Sequence, residues 1–351
     1  MLYTQLTRVI TNSRLRPPDA LLKITSCLMA GVPEKDADYR AAIAAYLWLG
    51  RHTSLAPRPI DTLRNRIIGY FSDPAAVPML IDYLESAPFP DGALIGAAGK
   101  HSAALPVLLR LALSREQETA WYALRTIASV PDQRVFEALV ASLEDPHLYK
   151  NWPTAVEGLL TWPGHIEPLP TAVVERLIVR VRLQGVGPNA ASVLARYGAT
   201  EALDALQHCA LDDQDDATRQ AAIRAVLALG GAEVLVDEIL RLITGPAPTR
   251  VERSRSSLVY LATLEPVYLA RRFFVPGTDL DQRRAIGQVL DNADLGGLTA
   301  DDLHLLREAC DAEPPWTPAG ELVRALRERI DACNPPEGSD DPGAGTAQLG
   351  W

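Results

Sequence analysis

Apolar residues recur along this chain with the three-to-four residue spacing of helices that bury one face. Val135, Phe136, Leu139, Val140 and Leu143 form one such stripe. Ala76, Val77, Leu80 and Ile81 begin another, and Leu105, Val107, Leu108 and Leu111 a third. No segment shows the period-two alternation of a strand. Short polar turns separate the stripes: Phe71-Ser72-Asp73-Pro74, Gly99-Lys100-His101, Val130-Pro131-Asp132, Trp162-Pro163-Gly164, Tyr197-Gly198-Ala199-Thr200 and Gly230-Gly231. They recur every ~28 to 35 residues, the period of one helical hairpin per repeat. The pattern predicts an all-α fold, a right-handed α-solenoid of about eight helical hairpins over residues 1–333, the last near Ala285 to Cys310.

Two segments repeat each other closely. Arg40-Ala41-Ala42-Ile43-Ala44-Ala45-Tyr46-Leu47-Trp48-Leu49-Gly50 aligns with the run from Arg219 through Ala221-Ala222-Ile223 to Leu227-Ala228-Leu229-Gly230. Small residues at the start admit a neighbouring helix, later leucines fill the core, and each Gly is expected at a left-handed C-cap. The segment Leu211-Asp212-Asp213-Gln214-Asp215-Asp216-Ala217-Thr218-Arg219-Gln220-Ala221-Ala222 resembles the Asp-rich turn, arginine and paired alanines of HEAT repeats, in the short bacterial form of the phycobilin lyases. The resemblance spans residues 33–310 and is strong in two repeats. It departs at Trp121, which stands near the usual arginine, and at Trp152-Pro153, which opens a helix. It implies a HEAT-like α-solenoid and carries no activity with it.

Composition narrows the function classes. Hydrophobic residues make up 48% of 351, enough for a continuous core, and the mean hydropathy of +0.01 is too low for a membrane protein. The net charge of -10, from 34 basic and 44 acidic residues, argues against a nucleic-acid partner, whose binding depends on neutralising phosphates. Neither a secretory signal nor a membrane span is legible, so a cytoplasmic location is expected. The tail from Asn334 to Trp351 is acidic, rich in Pro and Gly and without periodicity, and is expected to be disordered.

Candidate chemistry is sparse. Cys27, Cys209, Cys310 and Cys333 form no C-x-x-C pair and are expected as reduced thiols. None of the six histidines pairs at metal-ligand spacing, and the His-Glu dipeptide of HEAT-like iron hydroxylases does not occur. Asp212, Asp213, Asp215 and Asp216 could cradle calcium, but the loop lacks the glycine and distal glutamate of an EF-hand, and carboxylates there also suit a helix N-terminus. No cofactor or metal is expected.

The remaining signal is at the surface. Arg219, Arg224, Arg241, Arg250, Arg253, Arg255, Arg271, Arg272, Arg283 and Arg284 crowd into one stretch without a lysine. Their forked guanidinium groups suit an acidic partner, or else pair with carboxylates of adjacent repeats as a structural ladder, the role expected of Arg219. Helices preceding the intra-repeat turns carry Trp121, Arg125, Trp152, Arg250, Arg253, Arg283 and Arg284, which are expected to share a partner-binding face of the concave groove. The chain is read as a non-catalytic protein-binding scaffold, or an inhibitor or immunity-type protein, holding another protein with an acidic surface. The alternative is a HEAT-like enzyme of the lyase or DNA-glycosylase kind, in which Trp121 and Trp152 serve as the aromatics.

Overall fold

The computed structural model describes residues 2–12, 14–164, 167–182, 187–246, 248–273, 275, 278–290, 299–312 and 320–333. The tail from 334 lies outside them. Twenty α-helices and no strand occur among these residues, and the chain divides into two compact units, Met1–Val173 and Val174–Trp351.

The first unit contains α1 (Leu2–Thr11), α2 (Pro17–Ala30), α3 (Asp36–Arg51), α4 (Pro57–Tyr70), α5 (Val77–Ser86), α6 (Gly92–Ala98), α7 (Leu105–Ala112), α8 (Gln117–Ile127), α9 (Gln133–Glu144) and α10 (Trp152–Thr161). Each packs on the next helix or the next but one. Thus α2, α4, α6, α8 and α10 form one layer, and α1, α3, α5, α7 and α9 the other. This is how stacked hairpins bury faces that none could bury alone. The stripe in α9 lies wholly in the core, with Val135, Phe136, Leu139, Val140 and Leu143 all buried; each such side chain contributes about 1.5 to 3 kcal/mol relative to exposure. Asp132 starts that helix by accepting a hydrogen bond from the Arg134 amide at 2.9 Å.

Side chains also link one repeat to the next. A ring nitrogen of His101, Nε2, lies 2.7 Å from the Phe71 carbonyl. Trp162 Nε1 donates to the Val130 carbonyl at 3.1 Å, and the Tyr39 hydroxyl donates to Asp73 at 2.7 Å. Carbonyls at helix ends have no intrahelical donor, and His101 meets that of Phe71 at the end of α4. Glycines set the approach of α8 to α6: a Cβ on Gly92 would lie 2.4 Å from the Tyr122 ring, and one on Gly99 2.1 Å from Thr126 Cγ2.

The second unit contains α11 (Thr171–Val181), through which the boundary passes, then α12 (Gly187–Arg196), α13 (Leu203–Asp212), α14 (Asp216–Ala228), α15 (Ala232–Ile243), α16 (Pro248–Leu264), α17 (Pro266–Phe273), α18 (Leu280–Leu290), α19 (Ala300–Ala312) and α20 (Gly320–Cys333). Helices α12, α14, α16, α18 and α20 pack in succession, and α13, α15, α17 and α19 flank them. Gly198 and Gly230 take the left-handed conformation, with φ of 67° and 80°, as expected for the C-cap after α14. Gly50, expected in the same role, is a correction. It lies inside α3, which runs on to Arg51 and ends at His52. A Cβ there would meet the Arg64 guanidinium at 3.6 Å, an ordinary contact, and the backbone is not left-handed, so neither space nor conformation calls for glycine at this position.

Candidate functional site

In the second unit the Asp-rich turn before α14 is a set of separate attachments. Asp215 caps the helix through the Thr218 amide and hydroxyl at 2.9 and 2.7 Å, Asp213 accepts from the Asp215 amide, and Asp216 pairs with Arg219. Arg219 is 7% exposed and also donates to the Asp213 carbonyl at 2.9 Å, so it ties the turn to its own helix, and its carboxylate partner lies one turn away in α14 and not in an adjacent repeat. Among the described residues no group of three or more His, Cys, Asp and Glu side chains could hold a metal ion.

The arginines proposed for docking are engaged with their own chain. Arg250 forks onto Asp212, with Nε to Oδ1 at 3.1 Å and Nη2 to Oδ2 at 3.2 Å. Arg253 donates to the Asp212 carbonyl at 3.1 Å, so both fasten the end of α13 to the start of α16. Arg284 pairs with Asp281 one turn earlier at 3.2 Å. The guanidinium of Arg283 lies 5.8 Å from the Phe273 ring centre, and its Nε donates to the Thr278 carbonyl at 3.3 Å. Arg224, Arg241 and Arg272 likewise bond to Tyr260, Glu238 and Asp237. A partner's carboxylate would compete with these contacts for each fork.

In the first unit α8 presents Trp121, Tyr122 and Arg125. The Arg125 guanidinium lies 5.3 Å from the Trp121 ring centre, and Trp121 meets Tyr122 edge-on at 4.7 Å. Trp121 is half-buried and Arg125 exposed. Trp152, expected beside them at the surface, is a correction. It is the first residue of α10 and only 6% exposed, because an indole is large enough to fill the core where the preceding 3-10 turn (Pro146–Asn151) enters the helix. It belongs to the packing of the first unit and has no ring face to offer a partner.

Beside Tyr122 opens a cleft of about 470 Å³, walled by Tyr46, Arg64, Phe89, Asp91, Glu116, Glu118 and Tyr122 among others. At its base Asp91 caps α6 through the Ala93 amide at 2.9 Å. It accepts from the Tyr46 hydroxyl at 3.0 Å and from Arg64 Nη2 at 3.2 Å, and the same Nη2 reaches the Tyr46 oxygen at 2.6 Å. The Arg64 guanidinium lies 4.3 Å from the Tyr46 ring centre. Burial, with the Asp91 charge second, pushes the Tyr46 phenol well above its ordinary range. At the rim Glu116 caps α8, accepting from the Thr119 amide at 2.5 Å, and this bond holds its carboxyl below the usual range. Phe89 is 74% exposed. Sequence reasoning missed the cleft because its residues come from α3, α4, α6, α8 and two loops. Its only local signals, Asp91 and Glu116, look like ordinary caps.

Fold and surface together define an all-α helical-repeat protein whose first unit carries a preformed polar cleft. No family model matches the chain, and no curated protein matches it. Among solved structures, the complex of CpcE and CpcF of phycocyanin lyase from Nostoc sp. PCC7120 is similar over 72% of this chain and 94% of that chain, at 16% identity and a TM-score of 0.35. No helix among the described residues is long and apolar enough to cross a membrane.

Proposed function

We propose that the chain is a non-catalytic, protein-binding scaffold of the inhibitor or immunity kind, and that its first unit supplies the principal contact surface. The observation that carries this reading is the Trp121–Arg125 pair on α8. A half-exposed indole is held edge-on against Tyr122 with a guanidinium over its face. Such a ring loses little freedom on binding, and Trp, Tyr and Arg are the residue types most enriched among interface hot spots. The exposed Arg125 favours an acidic group on the partner opposite α8. In the second unit Arg255 and Arg271 are exposed, and the ladder arginines act there mainly to hold the hairpins together.

The test is affinity capture from the native host with the full chain and with Trp121→Ala and Arg125→Glu, followed by mass spectrometry. A stoichiometric protein retained by the wild type should fall by more than about tenfold with Trp121→Ala, corresponding to roughly 1.4 kcal/mol, while far-ultraviolet circular dichroism stays unchanged. Equal retention by folded variants would overturn the assignment of this surface. The lack of any stoichiometric protein would overturn the scaffold reading itself.

A further inference from the structure

The cleft beside Tyr122 has a chemistry that narrows what can enter it. Its positive elements are already matched: the N-terminus of α6 is capped by Asp91, that of α8 by Glu116, and the Arg64 charge is paired with Asp91. Arg64 Nε has no partner but is itself buried, so an anion entering the cleft would meet no exposed, unpaired charge. What is left over is negative, from Glu116 and the exposed Glu118, and aromatic, from Phe89 and Tyr122. The Tyr122 ring is fixed in place, because it lies flat where a Cβ of residue 92 would be and only glycine leaves that room. Phe89 stands at the rim with most of its surface in water, so its ring is open to a side chain entering the cleft.

We propose that this cleft seats an arginine side chain of the partner protein, its planar guanidinium lying against the Phe89 and Tyr122 rings and its forked donors reaching Glu116 and Glu118. The proposal deepens the scaffold reading and rests on it for the source of the arginine. Guanidinium suits the lining better than ammonium, because it is flat, less strongly hydrated and able to stack and to donate two parallel hydrogen bonds at once. The volume of about 470 Å³ is ample for one such side chain. Glu116 holds its charge in mildly acidic solution, since the Thr119 amide favours its ionised form.

The experiment uses the purified full chain and needs no partner, so it can fail independently of the capture experiment. Binding of N-acetyl-argininamide is measured by saturation-transfer NMR beside N-acetyl-citrullinamide, a neutral isostere, and N-acetyl-lysinamide. The arginine probe should saturate in the millimolar range expected for a single side chain, at least about threefold more tightly than either control. The variants Glu118→Gln and Phe89→Ser change exposed side chains, leave the core intact and should each weaken it, the double variant by about tenfold. Equal binding of the citrulline probe would overturn the role of charge. Equal or tighter binding of the lysine probe would overturn the guanidinium assignment, and an unchanged double variant would overturn the location.

Discussion

Replacing Trp162 by phenylalanine should loosen the link between α9 and α10 by an amount that can be worked from its contacts. The indole is 1% exposed, lies 5.1 Å from the Phe136 ring, and donates to the Val130 carbonyl at 3.1 Å. That carbonyl also accepts from the Asp132 amide at 2.8 Å, so the variant does not leave it orphaned, and losing the bond costs the net value of about 1 kcal/mol. The missing second ring leaves a void worth roughly another 1 to 2 kcal/mol, less than the ~3 to 5 kcal/mol of full truncation to alanine. The total of about 2 to 3 kcal/mol corresponds to about 30- to 150-fold faster opening. Hydrogen exchange read by mass spectrometry should show that acceleration in peptides from α9 and α10, because the loss is local. Gly164 offers an internal control: a Cβ there would lie 2.0 Å from the indole, so Gly164→Ala should cost less in the Trp162→Phe background than in the wild type. An acceleration below about threefold in these helices, or an equal one throughout the second unit, would refute the reasoning.

Two other outcomes follow from neighbouring features. On α6, Gly99→Ala must push Thr126 aside and should destabilise by about 1 to 3 kcal/mol, whereas Gly96→Ala meets open space and should stabilise by about 0.5 to 1 kcal/mol; thermal melts of the two variants should move in opposite directions. Asp132 has its carboxyl held down to about 2, from an ordinary 3.8, first by the Arg134 side chain and then by the Arg134 amide. Its folded-state value is depressed, so its contribution is present above about pH 3.8 and is lost as the pH falls through about 2. The gap in stability between wild type and Asp132→Asn, from urea titrations at a series of pH values, should close across that window.

The helices were legible because the chain's local pattern and its packing agree. The α9 stripe is buried as its spacing predicts, and Gly230 sits in the left-handed cap that follows α14. Gly50 misled because its sequence neighbours match those of Gly230, yet α3 runs past it to Arg51 and ends at His52, so the same local pattern falls inside the helix in one repeat and beyond its end in the other. Trp152 misled in the same manner: an aromatic at a helix start can face either way, and the core on that side decides. The arginine-rich stretch left docking face and ladder open, since the two differ only in which carboxylates lie within reach, and Asp212 is 38 residues from Arg250. Caps such as Asp91 and Glu116 can be inferred locally, but the cleft between them depends on bringing α3, α4, α6 and α8 together.

The contact pattern of the first unit also bears on how the chain is made. Its main helix packing runs no further than the next helix but one, so sequence separations between partners are short and ordering them costs little loop-closure entropy. Synthesis proceeds at about 5 to 20 residues per second and domains fold as they emerge. By the time α5 has left the ribosome, α3 already has α1, α4 and α5 to pack against. Each later hairpin then adds to a surface that is already ordered, and the apolar stripe waiting for cover at any moment is that of the newest hairpin alone.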